Sequence, residues 1–166
     1  QARNLGDPLA EAQATRQAAM AYAVAAWLPA HGAKELRTLR AAAAGLFART
    51  LPVLDPATEP VVVTWRAFQL PGYLVRPPDL RGPVPLVVLL NGLSTSKEEL
   101  LFWIEPLLWR GFAALALDWP GTGETAARVA VTAECDDLSD GIRALAADDP
   151  ALDPGRIAVA GVSLGG

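Results

Sequence analysis

The chain has 166 residues, 52% hydrophobic and 19% charged, a composition that excludes a disordered polypeptide and is ample for a packed core. Its 14 basic and 18 acidic residues leave a net charge of -4. The basic residues are scattered without a run, which argues against a nucleic-acid partner, since phosphate neutralisation needs clustered Lys and Arg.

The chain begins at Gln1 and its single methionine is Met20, so it reads as a segment of a longer polypeptide whose remainder is its first partner. The longest uncharged stretch near the start, residues 18–30, is too short and too alanine-rich to span a bilayer, and no signal peptide is visible. One cysteine, Cys135, allows no internal disulfide framework and fits a cytoplasmic setting.

Residues 1–58 read as a helical segment. Asp7-Pro8 supplies an N-cap followed by proline at the first helical position, and Met20, Val24, Trp27 and Leu28 fall on one face before Pro29 ends the run. A second helix carries Leu36, Leu39, Ala43, Leu46 and Phe47 as its apolar stripe and is expected to close at Pro52. Two such helices cannot bury their faces without a further partner.

From residue 59 the period changes. Residues 61–65 and 72–76 read as two antiparallel strands separated by Leu70-Pro71. After Pro85 come an apolar strand at 86–90, a helix over about 97–110, a second strand at 112–117, a helix over about 132–147, and a buried strand at 157–160 after an Asp153-Pro154-Gly155 turn. Apolar strands alternating with helices predict an α/β fold with a mostly parallel sheet covered on both faces, over residues 59–166.

Chemistry in such sheets gathers in the loops after the strands. The last strand runs into Gly161-Val162-Ser163-Leu164-Gly165, the G-x-S-x-G pattern of a nucleophile elbow. There a serine sits on a strained strand-to-helix turn, and small residues at positions 161 and 165 avoid a collision between the two elements. The loop after the first parallel strand, residues 91–99, holds Gly92 and would contribute one backbone N-H, from Leu93, to an oxyanion hole completed by Leu164. Ser96 and Glu99 form a capping box, so Lys97 and Glu98 are expected as first-turn residues in solvent. The loop from Asp118 to Thr125 contains a G-x-G-x-x-A string at Gly121, but Pro120 intrudes and no strand ending in an acid follows at the dinucleotide-binding distance. That loop is expected to fold beside the elbow with Asp118 bonding to its backbone, and with Trp119 facing either the substrate pocket or the core. The lone His31, between two helices, is not expected to act as the base. No cluster of residues has metal-ligand spacing, so neither metal nor cofactor is expected.

These loops, in this order, resemble the α/β-hydrolase superfamily. The loop Asn91-Gly92-Leu93-Ser94-Thr95-Ser96-Lys97-Glu98-Glu99 is similar to the G-G-L-x-S-T-K-E-E loop of FrsA-like hydrolases, with Asn91 where a glycine is usual. That group includes dihydroxypseudooxynicotine hydrolase and the pyrone-shortening hydrolases of pigment polyketide synthesis, and its members carry a helical cap before the core. The resemblance implies a Ser163 nucleophile, an oxyanion hole at Leu93 and Leu164, and cleavage of an ester or of a C-C bond beside a ketone. It places the catalytic acid and histidine after Gly166, so the segment alone is expected to be inactive. The tryptophans suggest an apolar or aromatic small-molecule substrate, and a homodimer is compatible with the sequence. An acyltransferase on the same fold and a non-catalytic binding protein are the other readings.

Overall fold

The computed structural model describes residues 6–28, 32–79 and 81–166; His31 lies outside them. The chain divides into two compact units, Gln1–Pro56 and Ala57–Gly166. No helix among the described residues is long and apolar enough to cross a membrane.

The first unit holds α1 (Pro8–Ala25) and α2 (Ala33–Leu54), which pack on each other. Asp7 caps α1 by accepting the Leu9 N-H at 3.0 Å. The large apolar residues of α1 are not the ones it buries. Its buried residues are Ala12, Ala19 and Ala23, while Val24, Trp27 and Leu28 are exposed. Small side chains let two helix backbones approach closely, and larger ones on the same stripe would hold them apart. Arg16 ties the pair together: its guanidinium lies 3.8 Å from the centre of the Phe47 ring, donates to Thr50 Oγ1 at 2.7 Å and pairs with Asp55 at 2.5 Å. Pro52 does not close α2. The helix continues to Leu54, because a proline removes only its own N-H, and the Asp55 N-H still reaches the Leu51 carbonyl at 2.9 Å.

The second unit is a five-stranded mixed sheet in the order β1-β2-β4-β3-β5, with β1 (Thr58–Trp65), β2 (Phe68–Val75), β3 (Val84–Leu90), β4 (Ala113–Leu117) and β5 (Leu152–Gly161). β1, β2 and β4 pair antiparallel, whereas β3 pairs parallel with both β4 and β5. Leu70 and Pro71 lie inside β2. The hairpin turns instead at Arg66-Ala67, with Arg66 in the left-handed region at φ 53°. No turn dipeptide marks the place; Arg66 is held there by Asp137 at 2.7 Å, by the Glu134 carbonyl at 2.9 Å and by the Trp65 ring.

β4 is buried throughout and divides the core. Leu115 and Leu117 join Leu86, Val88, Leu74, Ile142 and Trp119 on one face; Ala114 and Ala116 join Leu89, Leu100 and Ile104 on the other. The single helix expected over 97–110 is split into a 3-10 segment, Lys97–Trp103, and α3 (Ile104–Leu108), with Pro106 in the first turn of α3, where a missing N-H costs least. α4 (Leu138–Asp148) starts later than expected, just after Asp137, whose carboxylate accepts from Trp65 and Arg66; it buries Leu138, Ile142 and Ala146. β5 covers the strand expected at 157–160 and extends back through the Asp153-Pro154-Gly155 turn. It has only β3 beside it among the described residues, and Val159 is 59% exposed.

Leu115→Ala, which removes a fully buried side chain from the central strand, is expected to destabilise the protein by about 2–5 kcal/mol, against about 0.5 kcal/mol or less for exposed Val62→Ala. Urea unfolding of the two variants beside the wild type checks this.

Candidate active site

The parallel ladder of β3 and β5 continues one residue past Gly161, where the Val162 N-H donates to the Leu90 carbonyl at 3.1 Å. The chain then reverses. Ser163 takes φ 55°, a left-handed conformation that costs a non-glycine residue of order 1–3 kcal/mol. A 3-10 turn follows over Ser163–Gly165, with the Gly165 N-H bonding to the Val162 carbonyl at 3.0 Å. The two flanking glycines are demanded by contact. A Cβ on Gly165 would lie 2.7 Å from the carbonyl oxygens of both Leu90 and Asn91, and one on Gly161 would run into the Gly165 carbonyl.

Gly92 stands opposite the serine: a Cβ built on it would be 3.4 Å from Ser163 Cβ. Leu93 follows Gly92 and Leu164 follows Ser163, and both side chains are exposed. The loop after β3 thus meets the elbow.

Two loops are locked together by Asn91, which is fully buried. Its Nδ2 donates to the Thr95 carbonyl at 2.6 Å, its Oδ1 accepts from Thr122 Oγ1 at 3.1 Å, and its carbonyl accepts from Trp119 Nε1 at 2.8 Å. Thr95 in turn accepts the Gly92 N-H at 2.9 Å. Of the two places open to Trp119, it occupies the core. An asparagine in place of the usual glycine therefore supplies side-chain bonds that a glycine lacks.

Lys97 and Glu98 overturn the solvent expectation, since both are buried. The capping box of Ser96 and Glu99 is present, but the turn it starts points Lys97 inward, to the carboxylate of Asp118 at the end of β4. Asp118 accepts the Lys97 backbone N-H at 2.7 Å and the Glu124 backbone N-H at 3.1 Å. Burial lifts the Asp118 carboxyl to about 6, against the pull of Lys97 and with a push from Glu98. Burial by itself would lower the Lys97 pKa, yet Asp118, Glu98 and Glu124 together raise it above the ordinary lysine value. The Tyr73 hydroxyl, donating to Glu98 at 3.3 Å, is raised by burial and then by that carboxylate. Sequence reasoning missed this cluster; the available signal was an acid placed directly after five apolar strand residues, where a solvated charge is out of place.

A cleft of about 170 Å³ lies against the elbow, lined by Leu89, Leu90, Leu100, Trp103, Ala160, Gly161 and Val162. Among the described residues no group of three or more His, Cys, Asp or Glu side chains is suited to a metal ion.

The mixed sheet, with a strained serine turn at the end of a parallel strand, defines a chain of the α/β-hydrolase fold. Residues 87–166 match the model of the alpha/beta hydrolase family. It is 31% identical over 121 residues to 2,6-dihydropseudooxynicotine hydrolase of Paenarthrobacter nicotinovorans, covering 73% of this chain and 33% of that one. It is 33% identical over 149 residues to the hydrolyase poxO of Penicillium oxalicum, covering 81% of this chain and 35% of the relative. The solved structure of 2,6-dihydroxy-pseudo-oxynicotine hydrolase superposes with a TM-score of 0.81 at 26% identity, over 96% of this chain and 45% of that one. The chain thus spans about a third of the length of these curated relatives.

Gly165→Ala is expected to cost about 1–3 kcal/mol, because the new methyl meets two backbone carbonyls that cannot move aside without breaking the β3–β5 ladder; a lowered melting temperature is the measurement. Asp118 has a pH signature. Its carboxyl holds a proton to about pH 6 when folded, against an ordinary value of 3.8, so its contribution to stability is complete below about pH 4 and is lost as the pH rises through 6. The unfolding free energy of the wild type relative to Asp118→Asn is expected to fall between pH 4 and 6 and to be level from pH 7 to 8.

Proposed function

We propose that this chain carries the nucleophile and the oxyanion hole of a serine hydrolase. The observation that carries the reading is the left-handed Ser163 after the end of β5, with Gly92 opposite it so that a Cβ built on Gly92 would lie 3.4 Å from Ser163 Cβ. A serine hydroxyl attacks a carbonyl carbon when a base removes its proton, and in the superfamily pattern that base is a histidine oriented by a carboxylate. The Ser163 oxygen forms a bond to the carbonyl carbon, the proton passes to the base, and the carbonyl oxygen becomes an oxyanion bonded by the N-H groups of Leu93 and Leu164. Collapse returns the carbonyl and expels the leaving group, which takes the proton from the base. Water then repeats the sequence and frees the serine.

The leaving group is an alcohol in an ester, or the carbon of a stabilised carbanion where a C-C bond beside a ketone is cut. The names of the relatives support hydrolysis as the reaction class. The apolar cleft with Trp103 at its edge supports an apolar or aromatic substrate.

A fluorophosphonate probe is expected to label Ser163 of the full-length protein, with labelling absent in Ser163→Ala. Hydrolysis of p-nitrophenyl butyrate by that variant is expected to fall by about 10³-fold or more. Labelling or turnover that survives the substitution removes the serine from the mechanism.

A further inference from the structure

The hydrolytic steps above leave the buried charges behind the loop without a role. Lys97 is 2% exposed, and its ammonium lies 2.7 Å from Glu98 Oε1 and 3.2 Å from Asp118 Oδ2, pairs with Glu124, and sits 5.0 Å from the centre of the Tyr73 ring. Taking such a set of charges out of water costs several kcal/mol per ion, and apolar residues of equal volume commonly give a fold at least as stable. One ammonium among three carboxylates is thus a poor way to gain stability alone. It is a good way to fix a position, because each charge accepts only an arrangement in which its partners meet it.

The position fixed is that of the oxyanion loop. Residues 91–97 are anchored at one end by Asn91, through Thr122 and Trp119. At the other end the same Asp118 carboxylate holds both the backbone N-H and the ammonium of Lys97. Between the anchors the loop is cross-braced by the bonds of Asn91 to Thr95 and of Gly92 to Thr95, and Gly92 is the residue that faces Ser163. Asp118 also accepts the Glu124 N-H, so the loop after β4 is registered by the same group.

We propose that Lys97 is a positioning residue of the active site, setting the 91–97 loop against the elbow so that the Leu93 N-H meets the oxyanion in the transition state. The proposal rests on the serine-hydrolase reading. Misalignment of a donor weakens binding of the charge that develops in the transition state and leaves binding of the neutral substrate nearly intact. The effect therefore falls on kcat and not on KM.

The test uses the full-length protein with p-nitrophenyl butyrate, in Lys97→Met and in the double variant Lys97→Met/Glu98→Gln. The double variant removes one carboxylate together with the ammonium and so leaves the cluster's net charge unchanged. Circular dichroism and thermal melting establish which variants are folded. In a folded variant kcat is expected to fall by about 30- to 300-fold with KM within about twofold of the wild type, up to the loss that follows removal of one oxyanion donor. Labelling of Ser163 by the fluorophosphonate is expected to slow in parallel. A folded variant with kcat within twofold of the wild type, a loss confined to KM, or failure of both variants to fold overturns the proposal. Ser163→Ala, run beside them, separates the two claims. Activity surviving in that variant refutes the serine reading, whereas an inactive Ser163→Ala beside a fully active Lys97→Met refutes only the role of Lys97.

Discussion

The contact on which the rest of this site depends is between backbones. The elbow can turn only where it does because Gly165 lies against the carbonyl oxygens of Leu90 and Asn91, and because the β3–β5 ladder runs on to Val162. A left-handed serine costs energy at that point, and the ladder beneath it, with five consecutive parallel pairs from Leu86–Ile157 to Leu90–Gly161, is what holds it. Strain at Ser163 and the unbroken pairing of residues 86–90 with 157–161 are two aspects of one arrangement.

Around that contact the structure places polar groups inside. Asn91, Thr122, Thr125 and Asp118 are fully or almost fully buried, yet among the described residues no buried side-chain nitrogen or oxygen lacks a partner. Such a network is directional in a way that packed leucines are not, because each bond fixes an angle as well as a distance. The apolar layers on the two faces of β4 make the sheet stable, and the polar layer at the strand ends gives the loops a single arrangement.

The sequence was most informative where a local rule and the tertiary structure agree. Apolar runs at 86–90 and 112–117 became β3 and β4, and the glycines at 161 and 165 stand where the elbow pattern puts them. It was least informative where a distant partner decides. Arg66-Ala67 carries no turn signal, and the carboxylate that meets Arg66 is that of Asp137. Lys97 reads as a solvated helix start because Ser96 and Glu99 make a true capping box, and nothing nearby in the chain announces that Asp118 waits beneath it. At α1 the alanines pack while Val24, Trp27 and Leu28 of the stripe stay exposed, a division that residue size alone does not announce.

The Arg66 turn bears on how this unit is held together. A two-residue hairpin turn ordinarily closes by local preference, before the rest of the chain is in place. Here the left-handed arginine is met by a carboxylate 71 residues further along, so the tip of the edge hairpin is tied to the start of α4. With both side chains exposed, that tie contributes little to stability, yet it makes the turn a place where a distant substitution at Asp137 would be felt.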